Sequence, residues 1–490
     1  MATGKIGPEG AFQHFRVSNP SADEPHYIGN RSDGSVVSWG YPTSTGASWP
    51  PSEGEVADIL AYGGLFVDAA SHYSYLAKYS QSYTKKECDA MFTNIFGDMM
   101  LGVQGSNAYA QGGKDYTSSL IRSGYSGGAV YAMAFCGIFG HHSVTVQGNG
   151  NLACCGRNDY HQCGPGDSII YMPDVEPEPG PFLYAGAGRD FTVAIRQDGT
   201  LWVMGRNDVG QCGIPNMSEI TELTLVETSE EWVHVSCGVD HTLLLNKWGQ
   251  LWGMGGNSAG QLGLGHNNNV FEPVRLNGYI FDCVAAGYNF SVGFTKDKRW
   301  YGWGSNSHGQ LSLGSIGSSY NTPQLGTIDI SADNGSRVKW ISCGAYHTAC
   351  ITNASSQGYV YACGDNTYGQ CANGLVDDDP INPDPPITTI QQCVSLEHPD
   401  SGNDILRSDA GEGTTALVWI MVECGTYHTI VFNQSYDVRA FTIGRNDAGQ
   451  CDTTNVSRDT SGRWTWDVEE GVMQNWIAGG DDYSLILINE

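Results

Sequence analysis

Fifteen cysteines and thirteen histidines give this 490-residue chain many side chains able to bind a metal, exchange electrons or attack a carbonyl. Each chemistry needs a particular spacing. An odd number of cysteines excludes a fully paired internal disulfide framework. No Cys-x-x-Cys pair occurs, and Cys154 and Cys155 are adjacent, a poor arrangement for tetrahedral zinc. Gly124-Tyr-Ser126-Gly-Gly128 fits the nucleophile-elbow pattern, which works only on a strand-turn-helix with Asp and His partners, whereas here it lies in a glycine-rich loop. There is no phosphate-cradling Gly-Lys-Ser/Thr loop and no His-Glu-x-x-His zinc helix. These residues predict no catalytic site, no metal and no cofactor.

What positions the cysteines and histidines is a repeat. Gly156-Arg-Asn-Asp-Tyr-His-Gln-Cys-Gly164 returns as Gly205-Arg-Asn-Asp-Val-Gly-Gln-Cys-Gly213, Gly256-Asn-Ser-Ala-Gly-Gln-Leu-Gly263 and Gly304-Ser-Asn-Ser-His-Gly-Gln-Leu311. It returns again as Gly364-Asp-Asn-Thr-Tyr-Gly-Gln-Cys371 and Gly444-Arg-Asn-Asp-Ala-Gly-Gln-Cys451, with a worn copy at 105–112. The leading glycines at 105, 156, 205, 255, 304, 364 and 444 are spaced, by subtraction, 51, 49, 50, 49, 60 and 80 apart. Cys163, Cys212, Cys371 and Cys451 hold the slot that is Leu262 and Leu311 elsewhere, which reads as a small buried hydrophobe. Asn257 and Gln261 read as side chains that fix a turn.

A second motif precedes the clearer copies: Gly188-Arg-Asp-Phe-Thr192, Gly238-Val-Asp-His-Thr242, Gly287-Tyr-Asn-Phe-Ser291, Gly344-Ala-Tyr-His-Thr348 and Gly425-Thr-Tyr-His-Thr429. Cys237, Cys343 and Cys424 directly precede three of these glycines. His241, His347 and His428 fall at one place in successive units, which predicts a structural hydrogen bond inside each unit rather than a ring of ligands. Thr192-Val-Ala-Ile195, Asp198-Gly199 and Leu201-Trp-Val-Met204 read as strand, tight hairpin and strand.

A small antiparallel sheet cannot bury both its faces alone, so such units must stack in a ring. The expected fold is therefore all-β: a single closed β-propeller of seven or eight antiparallel blades over 30–490, after an N-terminal extension at 1–29. Its last unit begins at Gly480-Asp-Asp-Tyr-Ser484, and Asp33-Gly34-Ser-Val-Val-Ser-Trp39-Gly40 supplies the expected pairing strand from the N-terminal side. The spacings predict insertions near 82–100, where 82–96 reads as helical, and at 315–337 and 373–420.

These units resemble the repeat of the regulator of chromosome condensation family, in which Gly-x-x-His-Thr is followed by Gly-x-Asn-x-x-Gly-Gln-Leu-Gly. The stretch from Cys237 to Gly265 carries the resemblance most clearly, and coverage runs from about residue 30 onward. The resemblance implies a propeller, typically of seven blades, closed by strands from both termini. Its founding member is an exchange factor for a small nuclear GTPase and binds chromatin; this chain lacks a basic N-terminal tail. Plant ultraviolet-B receptors are similar but carry Gly-Trp-Arg-His-Thr, where this chain has Arg189, Val239, Tyr288, Ala345 or Thr426 after the glycine. Bacterial β-lactamase inhibitor proteins resemble the fold too and act purely as binding surfaces.

The charge balance selects among partners. With 52 acidic and 24 basic residues, a formal charge of −28, the surface repels phosphate backbones and favours basic proteins. Direct nucleic-acid binding is not expected. No apolar run is long enough to span a bilayer and no secretion signal opens the sequence, so the expectation is cytoplasmic synthesis and no membrane. The triplets Asn353-Ala-Ser and Asn433-Gln-Ser carry no weight in that setting. Two acidic, proline-rich inserts are the candidate partner-binding loops: one holds Asp174, Glu176 and Glu178, the other Asp377, Asp378, Asp379 and Asp384. The functional expectation is a non-catalytic binding or assembly subunit, for instance in a virus or phage particle. The alternative is an exchange factor for a small GTPase.

Overall fold

The structure, a computed structural model, describes strands within 12–17, 27–31, 36–39, 99–105 and 121–122. Beyond these it describes 131–147, 150–170, 181–328, 337–352, 359–372, 386–393, 419–433, 439–445, 448, 450–451, 462–463 and 474–489. These residues fold into seven four-stranded antiparallel sheets and one three-stranded sheet. Six of the four-stranded sheets are successive blades, each made from one continuous stretch with strands in consecutive order. The other is composite: Gln474–Gly479 and Tyr483–Asn489 continue into Met99–Gly105 and Ile121–Arg122. The first strand of each sheet packs on the first strand of the next, and Gln474–Gly479 touches both Trp419–Cys424 and Tyr131–Cys136. The architecture is a β-propeller.

Several expectations change here. Tyr483–Asn489 pairs with Met99–Gly105, Tyr483 opposite Gly105, and not with the strand around Trp39. Val36–Trp39 instead pairs with Tyr27–Arg31, which pairs with Phe12–Val17. That three-stranded sheet runs through the boundary expected at residues 29 and 30. The expected count of seven or eight blades is corrected: six sheets are blades of one continuous stretch, and Met99–Gly105 and Ile121–Arg122 share a single composite sheet with the two last strands. Within the stretches read as insertions, Gly317–Leu325 and Ile387–Gln392 are the fourth strands of their blades. Their polar sequences gave no strand signal because fourth strands are mostly solvated, as the half-exposed Val270–Arg275 shows. The segment 82–96 lies outside the described residues.

The second strands carry the core. All six residues of His241–Asn246, Phe290–Thr295 and His347–Thr352 are buried, so these strands show no alternation of apolar and polar residues. Burying each side chain such as Leu243, Leu244 or Phe290 contributes about 1.5–3 kcal/mol. The hairpin at Asp198-Gly199 forms as read: Gly199 takes φ +82°, and the Thr200 N–H donates to Asp198 Oδ1 at 3.0 Å.

The two motifs meet at the seams between sheets. Thr192, Thr242, Ser291, Thr348, Thr429 and Ser484 each donate their hydroxyl to the backbone carbonyl of a glutamine in the preceding sheet, at 2.7–3.1 Å. Four of these oxygens then accept from histidine. Nε2 of His142, His241, His347 and His428 lies 2.9–3.1 Å from Thr192, Ser291, Thr429 and Ser484 of the following sheet. The hydrogen bond thus runs between units and not within one, as the sequence had suggested. Phe191 and Phe290 take the ring position at two seams, and at the composite sheet Tyr483 donates to the His142 carbonyl at 2.9 Å. Glycine is required under each ring. A Cβ on Gly238 would stand 2.3 Å from His241 Cε1.

Two outcomes are expected from this seam. His241→Phe preserves the packing and removes one hydrogen bond, so it costs about 1 kcal/mol, whereas His241→Ala also opens a cavity and costs about 3 kcal/mol or more. Chemical denaturation of both variants checks the difference. Burial also lowers the imidazoles, to about 4 for His142 and His347 and about 3 for His241 and His428, from an ordinary 6.5. Their folded values are depressed, so their contribution is complete above pH 6.5 and is lost as pH falls towards 3–4. Stability measured against pH falls on that side by about 1.4 kcal/mol per unit for each histidine.

Candidate binding face

With four antiparallel strands in consecutive order, the turns between first and second strands and the loops between third and fourth strands leave the sheet at the same end. Both repeated motifs therefore open on one face of the ring, around its axis. The loops are fixed by their Asn and Gln. Asn257 Oδ1 accepts from the Leu262 N–H at 2.9 Å and its Nδ2 donates to the His266 carbonyl at 2.7 Å, while Gln261 Oε1 accepts from the Ala259 N–H at 2.9 Å. The Oδ1 bond recurs at Asn158, Asn207 and Asn366, each accepting from the N–H five residues on. The Cys/Leu slot beneath is buried, and the thiols of Cys212, Cys371 and Cys451 donate to carbonyls at 3.2–3.3 Å. Burial pushes the Cys136 thiol up to about 12 and raises Cys212, Cys237, Cys343 and Cys371 as well, so these are protonated packing groups. Among the described residues no group of three His, Cys, Asp or Glu side chains could hold a metal ion.

Two residues stand between glycine and ring in each turn, and those that reach solvent in part are Arg189, Asp240, Tyr288, Asn289, Tyr346, Tyr427, Asp481 and Asp482, whereas Asp190, Val239, Ala345 and Thr426 are buried. The turn from Gly137 to His142 is two residues longer than that from Gly238 to His241, and the extra length carries Phe139 across the axis. Phe139 adopts φ +54°, and its N–H donates to Thr426 Oγ1 at 3.0 Å, 287 positions away in sequence.

Four rings close into a quartet there. Phe139 lies 5.6 Å from Tyr288 and 6.0 Å from Tyr427, and Tyr346 lies 5.6 Å from Tyr288 and 6.2 Å from Tyr427. The loops widen it, with His308 at 4.6 Å from Tyr346 and Tyr368 at 5.7 Å from Tyr427. All of these rings are partly exposed. Burial pushes the Tyr427 phenol up to about 12 and raises Tyr346, so both remain neutral donors. Ile138, Val239 and Ala345 form the floor.

The other half of the face is ionic. Arg189 bonds Asp190 and Asp240, both at 3.0 Å; Arg206 bonds Asp208 at 2.6 Å and lies within 3.7 Å of Asp190 and Asp240; Arg157 bonds Asp159 at 2.6 Å. Burial raises the Asp240 carboxyl more than Arg189 and Arg206 lower it. Arg445 joins the halves, 3.4 Å from Asp482 and 5.6 Å from the Tyr427 centroid.

Below the face, on the innermost strand Trp419–Cys424, Glu423 accepts from Trp340 Nε1 and Ser342 Oγ, both at 3.0 Å. Burial pushes its carboxyl up from 4.5 to about 7. A raised folded value means its contribution is complete below pH 4.5 and is lost as pH rises through 7, opposite in sign to the histidines. Glu423→Gln is therefore expected to steepen the acid-side loss of stability and to flatten the profile near pH 7, read by thermal melts from pH 4.5 to 8.

Asp174, Glu176, Glu178, Asp377, Asp378, Asp379, Asp384 and the 124–128 segment lie outside the described residues. The quartet carries no repeated signal, because its rings stand at positions that vary between copies: Tyr288, Tyr346 and Tyr427 lie between glycine and ring of the first motif, and Phe139 lies in a longer turn.

Comparison with known proteins agrees with the fold. The RCC1-like domain profile matches residues 177–490, and the chain belongs to that family. It is similar to human WBSCR16, with TM-score 0.62 and 18% identity over 80% of this chain and 99% of that one. It is similar also to yeast RCC1 (Prp20) solved with Kap60 bound, with TM-score 0.66 and 14% identity over 80% and 89% of the two chains. Prp20p from Saccharomyces cerevisiae, described with its binding properties to Gsp1p and histones, gives TM-score 0.66 and 14% identity over 80% and 92%. No curated protein sequence matches the chain.

Proposed function

We propose that this chain is a non-catalytic, protein-binding propeller that engages its partner through the axial face. The observation that carries the reading is the convergence of Phe139, Tyr288, Tyr346 and Tyr427 from four sheets onto one partly exposed site, flanked by Arg189, Arg206 and Arg445. Tyrosine and arginine are the residue types that dominate binding energy at protein interfaces, and packing alone gives no reason to place them in solvent. Membership of the RCC1-like family supports a binding role, and the formal charge of −28 supports a basic partner. Residence in a larger assembly, such as a virus or phage particle, extends the same reading.

A photo-crosslinker placed at Tyr346 of the full chain is expected to join one partner in native material, while the same group at Glu222 on an outer strand joins none. Cross-links at Glu222 alone, or at neither position, would remove the axial face from consideration. The second reading, guanine-nucleotide exchange on a small GTPase, draws on the similarity to Prp20p, whose structure is described with binding to Gsp1p. It predicts faster nucleotide release when the chain is added to a panel of small GTPases, and unchanged release rules it out.

A further inference from the structure

We infer that the axial face is a receptor for arginine side chains of a basic partner segment; this rests on the binding role proposed above and gives it a chemistry. Three observations converge. Four aromatic rings at 5.6–6.2 Å spacing present partly exposed edges and faces, and a guanidinium already stands 5.6 Å from the Tyr427 centroid, another 5.5 Å from Tyr160. The face thus holds planar cations in its own structure. Its charge is also unbalanced: the described turns and loops bring together Asp159, Asp167, Asp190, Asp208, Asp240, Asp365, Asp481 and Asp482 against Arg157, Arg189, Arg206 and Arg445. Eight carboxylates against four guanidiniums leave a formal net −4.

The third observation concerns unused hydrogen-bonding capacity. Oδ1 of Asn289 and of Asp481 is buried without a hydrogen-bond donor, although each residue as a whole is partly exposed on its turn. Asp481 has His141 at 3.9 Å through its other oxygen, a contact charged only when the imidazole is protonated. Acceptors in excess on a face that also carries aromatic rings suit a ligand that brings donors and positive charge together. Arginine fits better than lysine because its planar guanidinium stacks on a ring while its edge donates to a carboxylate.

The test uses the full chain and three labelled peptides of equal length, rich in arginine, in lysine or in glutamate, followed by fluorescence anisotropy at physiological salt. The arginine peptide is expected to bind, the lysine peptide more weakly and the glutamate peptide not at all. Tyr346→Leu with Tyr427→Leu is expected to weaken arginine binding about tenfold, while Tyr346→Phe with Tyr427→Phe keeps it, since the ring face is retained. Asp481→Asn weakens it without touching a ring, which keeps the test open should the leucine pair lower stability. Glu222→Gln with Glu227→Gln removes two charges elsewhere and leaves binding unchanged. Equal affinity for arginine and lysine peptides, or equal losses from the Glu222 and Glu227 pair, would show diffuse charge attraction and overturn the inference. If no peptide binds while the native partner still cross-links at Tyr346, the arginine receptor falls and the binding face stands.

Discussion

A propeller sheet has two apolar faces and so is unstable until both are covered, and here the covering is registered by a hydroxyl that serves two neighbours. At each intact seam a Ser or Thr oxygen gives its proton to a glutamine carbonyl of the sheet before it and takes one from an imidazole of that same sheet. A hydroxyl has one proton to give and lone pairs to receive, so the geometry fixes the direction of both bonds. It also fixes the histidine tautomer, with the proton on Nε2 and a bare Nδ1 above a glycine that has no side chain to collide with it. The rest of the motif follows: glycine under the ring, histidine at the ring position, hydroxyl next, and a Gly-Gln loop whose carbonyl waits in the adjoining unit. Where phenylalanine replaces histidine, at Phe191 and Phe290, packing persists without the relay.

This division between seam and face explains why the same turn is both repetitive and variable. Its ends are constrained by the seam and repeat in every unit. Of its two middle residues at least one is partly exposed in several turns and less constrained by packing, which allows Arg189, Tyr288, Tyr346 and Tyr427 to differ. Electrostatics follow the same division: burial lowers the imidazoles in the seams, whereas the carboxylates Asp190 and Asp240 on the face lie against the Arg189 guanidinium.

The fold was legible because its demands recur. Glycines at positive φ, such as Gly255, where a Cβ would stand 2.6 Å from the Asp240 carbonyl, are required in every copy, so the period can be counted by eye. Cys212 and Cys451 could be read as apolar because Leu262 and Leu311 share their slot. Three things stayed out of reach. Outer strands such as Gly317–Leu325 bury little and read as insertions. The partner of Tyr483–Asn489 could not be found from local pattern, since two strand-like segments, Val36–Trp39 and Met99–Gly105, competed for it. The aromatic quartet depends on rings contributed by residues 139, 288, 346 and 427, a proximity that only closure of the ring creates.

The composite sheet bears on the order in which the molecule assembles. Six sheets need only neighbours in sequence, so each hairpin can form as soon as its strands exist. The pairing of residues 483–489 with 99–105 joins segments separated by nearly all the rest of the ring. Long-range pairings of this kind form late, because the closure entropy of the intervening chain must be met before any contact repays it. Until then the sheets on either side of the gap present bare apolar faces to solvent. The slowest and most aggregation-exposed step of folding is therefore expected at the composite sheet, where the two distant segments must find each other.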